Sequence, residues 1–148
     1  MGGEWILVPK KGIEQGRLKI HFEMSRSAVR DLLKAEFGEP ESNYEDEDDF
    51  HHPHDGTFLR VRYDDSNVQD IEFLEGSLTY EGAKLAGGVS WPEVERGVAA
   101  LGNRFRETEW LGDGYDCLPL SVNIATHEQV GGDGDGIEWV IMSSVFED

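Results

Sequence analysis

The chain has 148 residues, of which 31 are Asp or Glu and 13 are Lys or Arg, a formal net charge of -18. That balance excludes direct binding to nucleic acid, whose affinity comes from neutralising phosphates with cations, and it disfavours anionic membrane surfaces. Hydrophobic residues at 38% and aromatics at 10% are too abundant for wholesale disorder, and a chain this long buries roughly two-thirds of its unfolded surface without a covalent staple. The single cysteine, Cys117, excludes an intramolecular disulfide and a thiolate zinc knuckle. No cationic region feeds an apolar run at the N-terminus, and no apolar stretch reaches the roughly 18 residues needed to cross a bilayer. A soluble, cytoplasmic, reduced protein is expected.

In chain order, the first predicted element is a helix. Ser25 is its N-cap, Met24 and Val29 its hydrophobic staple, and Ala28, Val29, Leu32, Leu33 and Phe37 its apolar positions. Gly38 closes it and Pro40 prevents continuation. Between Glu36 and Asp55 the chain then carries nine acids and no Lys or Arg, including the unbroken run Glu45, Asp46, Glu47, Asp48 and Asp49. A solvated acidic loop is the simplest reading. Thr57 to Tyr63 alternates, with Leu59, Val61 and Tyr63 on one face and Arg60 and Arg62 on the other. Asp64 to Asn67 makes the turn, Val68 to Leu74 the returning strand, and Leu78 to Tyr80 a further short one.

The second predicted helix begins at Ser90, which forms a capping box with Glu93. Val89 and Val94 staple it, Pro92 lies in its first turn, Val94, Val98 and Leu101 form its stripe, and Gly102 ends it. Strands are then expected over Arg104–Leu111, Leu118–Ala125 and Ile137–Met142, with the glycine-rich segment Gly131–Gly136 linking the last two. All thirteen basic residues precede position 107, while ten acids follow Arg106, ending in Glu147 and Asp148.

The helices stand 65 positions apart, and the same offset aligns Lys19 with Lys84, Ile20 with Leu85 and Val29 with Val94. Ile71-Glu72-Phe73 matches Ile137-Glu138-Trp139 at an offset of 66, which casts Trp139 as a core residue like Phe73. The expected fold is therefore α+β. It is one domain of two degenerate tandem copies, about 13–76 and 78–144, each a helix plus antiparallel strands, with the helices on one face of the sheet.

A helix opened by a small polar cap and closed by Gly-x-Pro, followed by a hairpin ending in Ile-Glu-aromatic, occurs at Ser25–Pro40 and Thr57–Phe73. This pattern resembles the helix-plus-sheet unit of the β-lactamase inhibitory proteins and of small outer-membrane assembly lipoproteins. It also resembles short acidic cytoplasmic bacterial proteins, some of which are immunity proteins against polymorphic toxins. The resemblance implies an inhibitor or binding module and carries no catalytic residue with it.

Candidate chemistry is sparse. His51, His52 and His54 beside Asp49 and Asp55 could hold a transition metal, but neighbouring histidines on a loop with Pro53 have no spacing that converges them. The alternative function, a small metal-dependent enzyme, rests on that loop; a solvated tip without metal is expected. Asp133-Gly-Asp135-Gly departs from a calcium loop at both ends, with Gly131 and Met142 where ligands belong. Cys117 lacks a base to activate it, and a buried thiol is expected. No set of residues forms an active site, so no enzyme and no cofactor is expected. What remains is a surface for a basic protein such as a cognate toxin. Its candidate residues are Glu45, Asp46, Glu47, Asp48 and Asp49, the segment Trp110, Asp113, Tyr115 and Asp116, and the loop acids Asp133 and Asp135.

Overall fold

The structure is a computed structural model that describes residues 3–146; Met1 and Gly2, and the terminal acids Glu147 and Asp148, lie outside the described residues. The elements run β1 (Glu4–Val8), β2 (Gly12–Gln15), β3 (Leu18–His21), α1 (Arg26–Phe37), β4 (Glu41–Tyr44), β5 (Glu47–His51), β6 (Phe58–Asp64) and β7 (Asn67–Glu75). They continue as β8 (Ser77–Tyr80), β9 (Ala83–Ala86), α2 (Trp91–Ala100), β10 (Arg106–Glu107), β11 (Tyr115–Cys117), β12 (Val122–Thr126) and β13 (Ile137–Ser143). Among the described residues the fold is α+β, with two α-helices and thirteen strands in two sheets. The small sheet has the order β3-β2-β1-β8-β9 and the large one β10-β11-β12-β13-β7-β6-β5-β4. No helix among the described residues is long and apolar enough to cross a membrane.

Both helices begin and end where local chemistry dictates. The Ser25 hydroxyl accepts from the Ala28 N–H at 3.1 Å, satisfying one of the first-turn donors. Gly38, at φ 77, donates back to the Lys34 carbonyl at the other end. At α2 the Glu93 carboxylate receives both the Ser90 N–H, at 3.4 Å, and the Ser90 hydroxyl, at 3.1 Å. Val29, Leu33 and Phe37 of α1 and Val94 and Val98 of α2 are buried in one apolar cluster with residues of both sheets.

The large sheet shows how alternation sorts its residues. One register row crosses it as Cys117, Val122, Met142, Ile71, Val61 and Asp48, and all six are buried on the inner side. Its neighbour on the opposite face runs Asp116, Asn123, Ile141, Glu72, Arg60, Asp49 and Glu41. The inner row joins the core, and the outer row is almost wholly polar.

Four sequence expectations need correction. The acidic run is no loop: Glu47, Asp48 and Asp49 lie in β5 and are buried, leaving only Glu45 and Asp46 exposed at the β4–β5 turn. The strand expected over Arg104–Leu111 shrinks to two residues, because the Thr108 hydroxyl accepts from the Trp110 and Leu111 N–H groups and turns the chain. The strand expected over Leu118–Ala125 starts only at Val122, since Leu118–Leu120 form a single 3-10 turn around Pro119. Trp139 is half-buried on the outer face, whereas Phe73 is buried in the core, so the offset of 66 puts these two on opposite sides of the sheet.

Candidate functional site

The outer face of the large sheet is built on a charged ladder. Arg60 donates from Nε to Asp49 at 2.8 Å and lies 3.2 Å from Glu47. Arg62 Nε sits 2.8 Å from Glu72 and 3.2 Å from Glu47. Alternation explains the ladder, because cross-strand partners at Asp49–Arg60, Glu47–Arg62 and Arg60–Glu72 project from the same side. Burial pushes the Glu72 carboxyl above its usual range, and its arginine partners do not fully reverse that shift.

Beside the ladder the face turns apolar. Trp139, Ile141, Ile137, Leu74 and Phe58 line a cleft of about 860 Å³. Leu111, Gly112 and Asp113 line one part of it, and the segment that carries them, from Thr108 to Gly114, is tied down by two buried polar residues. Asp116 accepts from the Glu109 N–H at 2.8 Å, and Asn123 donates to the Asp113 carbonyl at 3.1 Å and to Asp116 at 3.0 Å. Gly114, at φ 101, passes so close that a Cβ would stand 2.6 Å from the Asn123 side-chain oxygen. That same oxygen accepts from the Trp139 indole N–H at 2.7 Å, which fixes the ring's orientation at the cleft.

A histidine stands at the cleft's rim. His127 Nδ1 is 2.5 Å from Glu138 Oε1, and the glycine-rich segment folds around the residue: Gly132 N–H donates to its carbonyl at 2.7 Å. A Cβ at Gly136 would lie 3.1 Å from the imidazole, so the glycines allow the close approach. No group of three or more His, Cys, Asp or Glu among the described residues converges as a metal site.

The other candidate residues are scattered. Glu45 and Asp46 sit at one edge of the large sheet and Tyr115 and Asp116 near the other. Six strand spacings separate β4 from β11, roughly 30 Å. Asp48 is fully buried on the inner side. Burial opposes its ionisation, but Arg30, Arg26, Ser42 and Tyr63 all donate to it and hold its carboxyl far below the usual range. Burial and the neighbouring Asp48 charge drive the Tyr63 hydroxyl well above its ordinary value. Asp116 is likewise buried and structural, while Asp113 is exposed at the cleft.

The aromatics named from sequence are half-buried in pairs. Trp110 stacks on Phe146 at 4.4 Å, and Tyr115 stacks on Trp91 at 4.5 Å, with Phe105 edge-on to Trp91. Asp133 and Asp135 are exposed, and the Asp135 carbonyl accepts from the Trp91 N–H. Of the histidine loop, His52 Nδ1 accepts from the His54 and Asp55 N–H groups, and its ring packs edge-on to Phe37. His51 stacks on Phe58. Cys117 is buried, and burial pushes its thiol above the ordinary value, which favours the protonated form.

Sequence reasoning missed Asn123, Glu138 and the outward position of Trp139. Arg60 and Arg62 were legible as an outward pair, but their carboxylate partners were not. The chain matches no family model, no curated protein and no solved structure.

Proposed function

We propose that the chain is a protein-binding inhibitor, of the immunity kind, that neutralises a basic toxin through an acidic surface containing aromatic residues. The observation that carries this reading is where the charges go. Arg26 and Arg30 are paired with Asp48, and Arg60 and Arg62 with Glu47, Asp49 and Glu72, so four cations are occupied internally. Glu45, Asp46, Asp113, Asp133 and Asp135 stay exposed, and the surface seen by a partner is anionic.

The inferred plan behind that surface is a duplicated unit, with both helices against the inner face of the large sheet. Its support is a set of matched hydrogen bonds. Arg26 N–H donates to the Ser66 carbonyl at 2.8 Å and Trp91 N–H to the Asp135 carbonyl at 2.8 Å, each from the first residue of a helix to the chain entering a central strand. Ser25 bridges Asn67 as Ser90 bridges Gly136. The strands β7 and β13 of the two units then meet at the middle of the large sheet. This correspondence shifts the last strand to an offset of 69, replacing the 66 of the sequence match.

The test is co-expression with the protein encoded beside this chain, followed by binding kinetics at two salt concentrations. Neutralising Glu45, Asp46, Asp133 and Asp135 should slow association and flatten its salt dependence, leaving dissociation nearly unchanged. Absence of a stable partner, together with turnover of a small substrate, would overturn the reading.

A further inference from the structure

We propose that the cleft on the outer face of the large sheet is the docking site, and that its occupant is an extended cationic segment of the partner in which Lys or Arg alternates with a large apolar residue. This rests on the inhibitor reading and locates its contact. Three observations converge on the cleft. Its floor holds Trp139 with the indole fixed by Asn123, a large aromatic whose orientation is set before anything binds. Preorganised, half-buried aromatics are the groups that dominate interface energy, because little rotamer freedom is lost when they are covered. Ile141 and Leu74 extend the apolar floor on either side of Glu72.

The second observation is charge. Arg60 and Arg62 line the cleft together with Glu72, Glu75, Asp113 and Glu138, the last paired with His127, while Glu47 and Asp49 are buried beneath the two arginines. Two guanidiniums against four lining carboxylates, with exposed Glu75 and Asp113 free of the arginine ladder, leave an excess of anions beside the apolar floor, which selects a cationic occupant and rejects an acidic one. The third is shape. Leu111–Asp113 and Gly87–Gly88 also line the cleft, and a concavity of about 860 Å³ accommodates a strand or loop better than a flat surface. An extended segment presents alternate side chains to opposite sides, so one set meets Trp139 and Ile141 while the other reaches the acids at the rim.

The probe is a synthetic peptide alternating Arg with Leu, titrated into the full chain and followed by amide chemical shifts and calorimetry. Peptides with Ser replacing Leu, or Glu replacing Arg, serve as comparisons. Trp139→Ala should weaken the Arg/Leu peptide by about tenfold or more. Ile141→Lys should do the same by placing a cation on the floor, and it keeps the test decisive if Trp139→Ala perturbs the fold. Shifts should map to β6, β7 and β13, and the Ser and Glu peptides should bind far more weakly. Binding that is lost in Glu45→Lys/Asp46→Lys but kept in Ile141→Lys would overturn the cleft and leave the inhibitor reading standing. Equal binding of the Ser peptide would remove the apolar anchor and overturn the cleft as drawn. No binding by any cationic peptide, or equal binding by the Glu peptide, would overturn both.

Discussion

Asp48 is the residue on which the inner face depends most. It accepts from two arginines, a serine and a tyrosine while fully buried. Asp48→Ala removes the one acceptor that satisfies all four, and breaking a buried ion pair in this way costs about 3–5 kcal/mol. Urea unfolding at neutral pH measures it. The pH dependence follows from the lowered carboxyl: the unfolded chain takes up the proton first, so Asp48 stabilises the fold above about pH 4 and progressively less below it. Glu72, whose carboxyl is raised, has the opposite sign, since its folded form keeps the proton to higher pH. Asp48→Asn should therefore flatten the acid limb of the stability curve, and an unchanged limb would refute the assignment. The histidines divide similarly. Replacing His54 should alter stability by about half a kcal/mol or less, as expected of an exposed loop residue. His52→Ala leaves two N–H groups without their acceptor and should cost about 1 kcal/mol. Thermal unfolding of the two single variants separates them.

At the scale of elements, the helices were legible because their signals are local: cap, stripe and stop all fall within a dozen residues. Val29, Val94 and Val98 are buried, as the stripes require, whereas Leu101, the last position of the second stripe, is exposed. Val29→Asp or Val94→Asp should each cost several kcal/mol, because a carboxylate without a partner would replace a core methyl pair; chemical denaturation of either variant provides the check. The β6–β7 hairpin was equally local. Asp65 and Ser66, at φ 50 and 66, form the two-residue turn that joins them. What sequence hid was pairing over distance. Glu47, Asp48 and Asp49 read as solvated because carboxylates avoid strands, yet their arginine partners come from α1 and β6, 11 to 22 residues away. Trp139 was misplaced for another reason. Ile137, Val140, Ile141 and Met142 put apolar groups on both faces of β13, so no alternation marks which side is core. The candidate cleft suffered from both effects, since its floor lies on β13 and its charges belong to pairs.

For the whole molecule, a net charge of -18 makes self-repulsion a standing cost of compaction. Raising ionic strength from roughly 0.01 M to roughly 0.15 M shortens the screening length from about 30 Å to about 8 Å. The melting temperature should rise by several degrees, and a fall would mean that screened internal pairs outweigh the relieved repulsion. The small sheet carries a different consequence. The strand β1 lies between β2 and β8, and its pairing with β8 is parallel, joining Trp5 to Leu78. During synthesis β1 must therefore stay half-paired until more than seventy further residues have been made. Closing so long a loop is slow relative to forming the helices and the β6–β7 hairpin, because its entropy must be lost before the contact rewards it. Trp5 is fully buried and lies 6.3 Å from the Phe37 ring, so its fluorescence should be among the last signals to reach the native value during refolding. The strand β1 is made well before its partner β8 and is finished late.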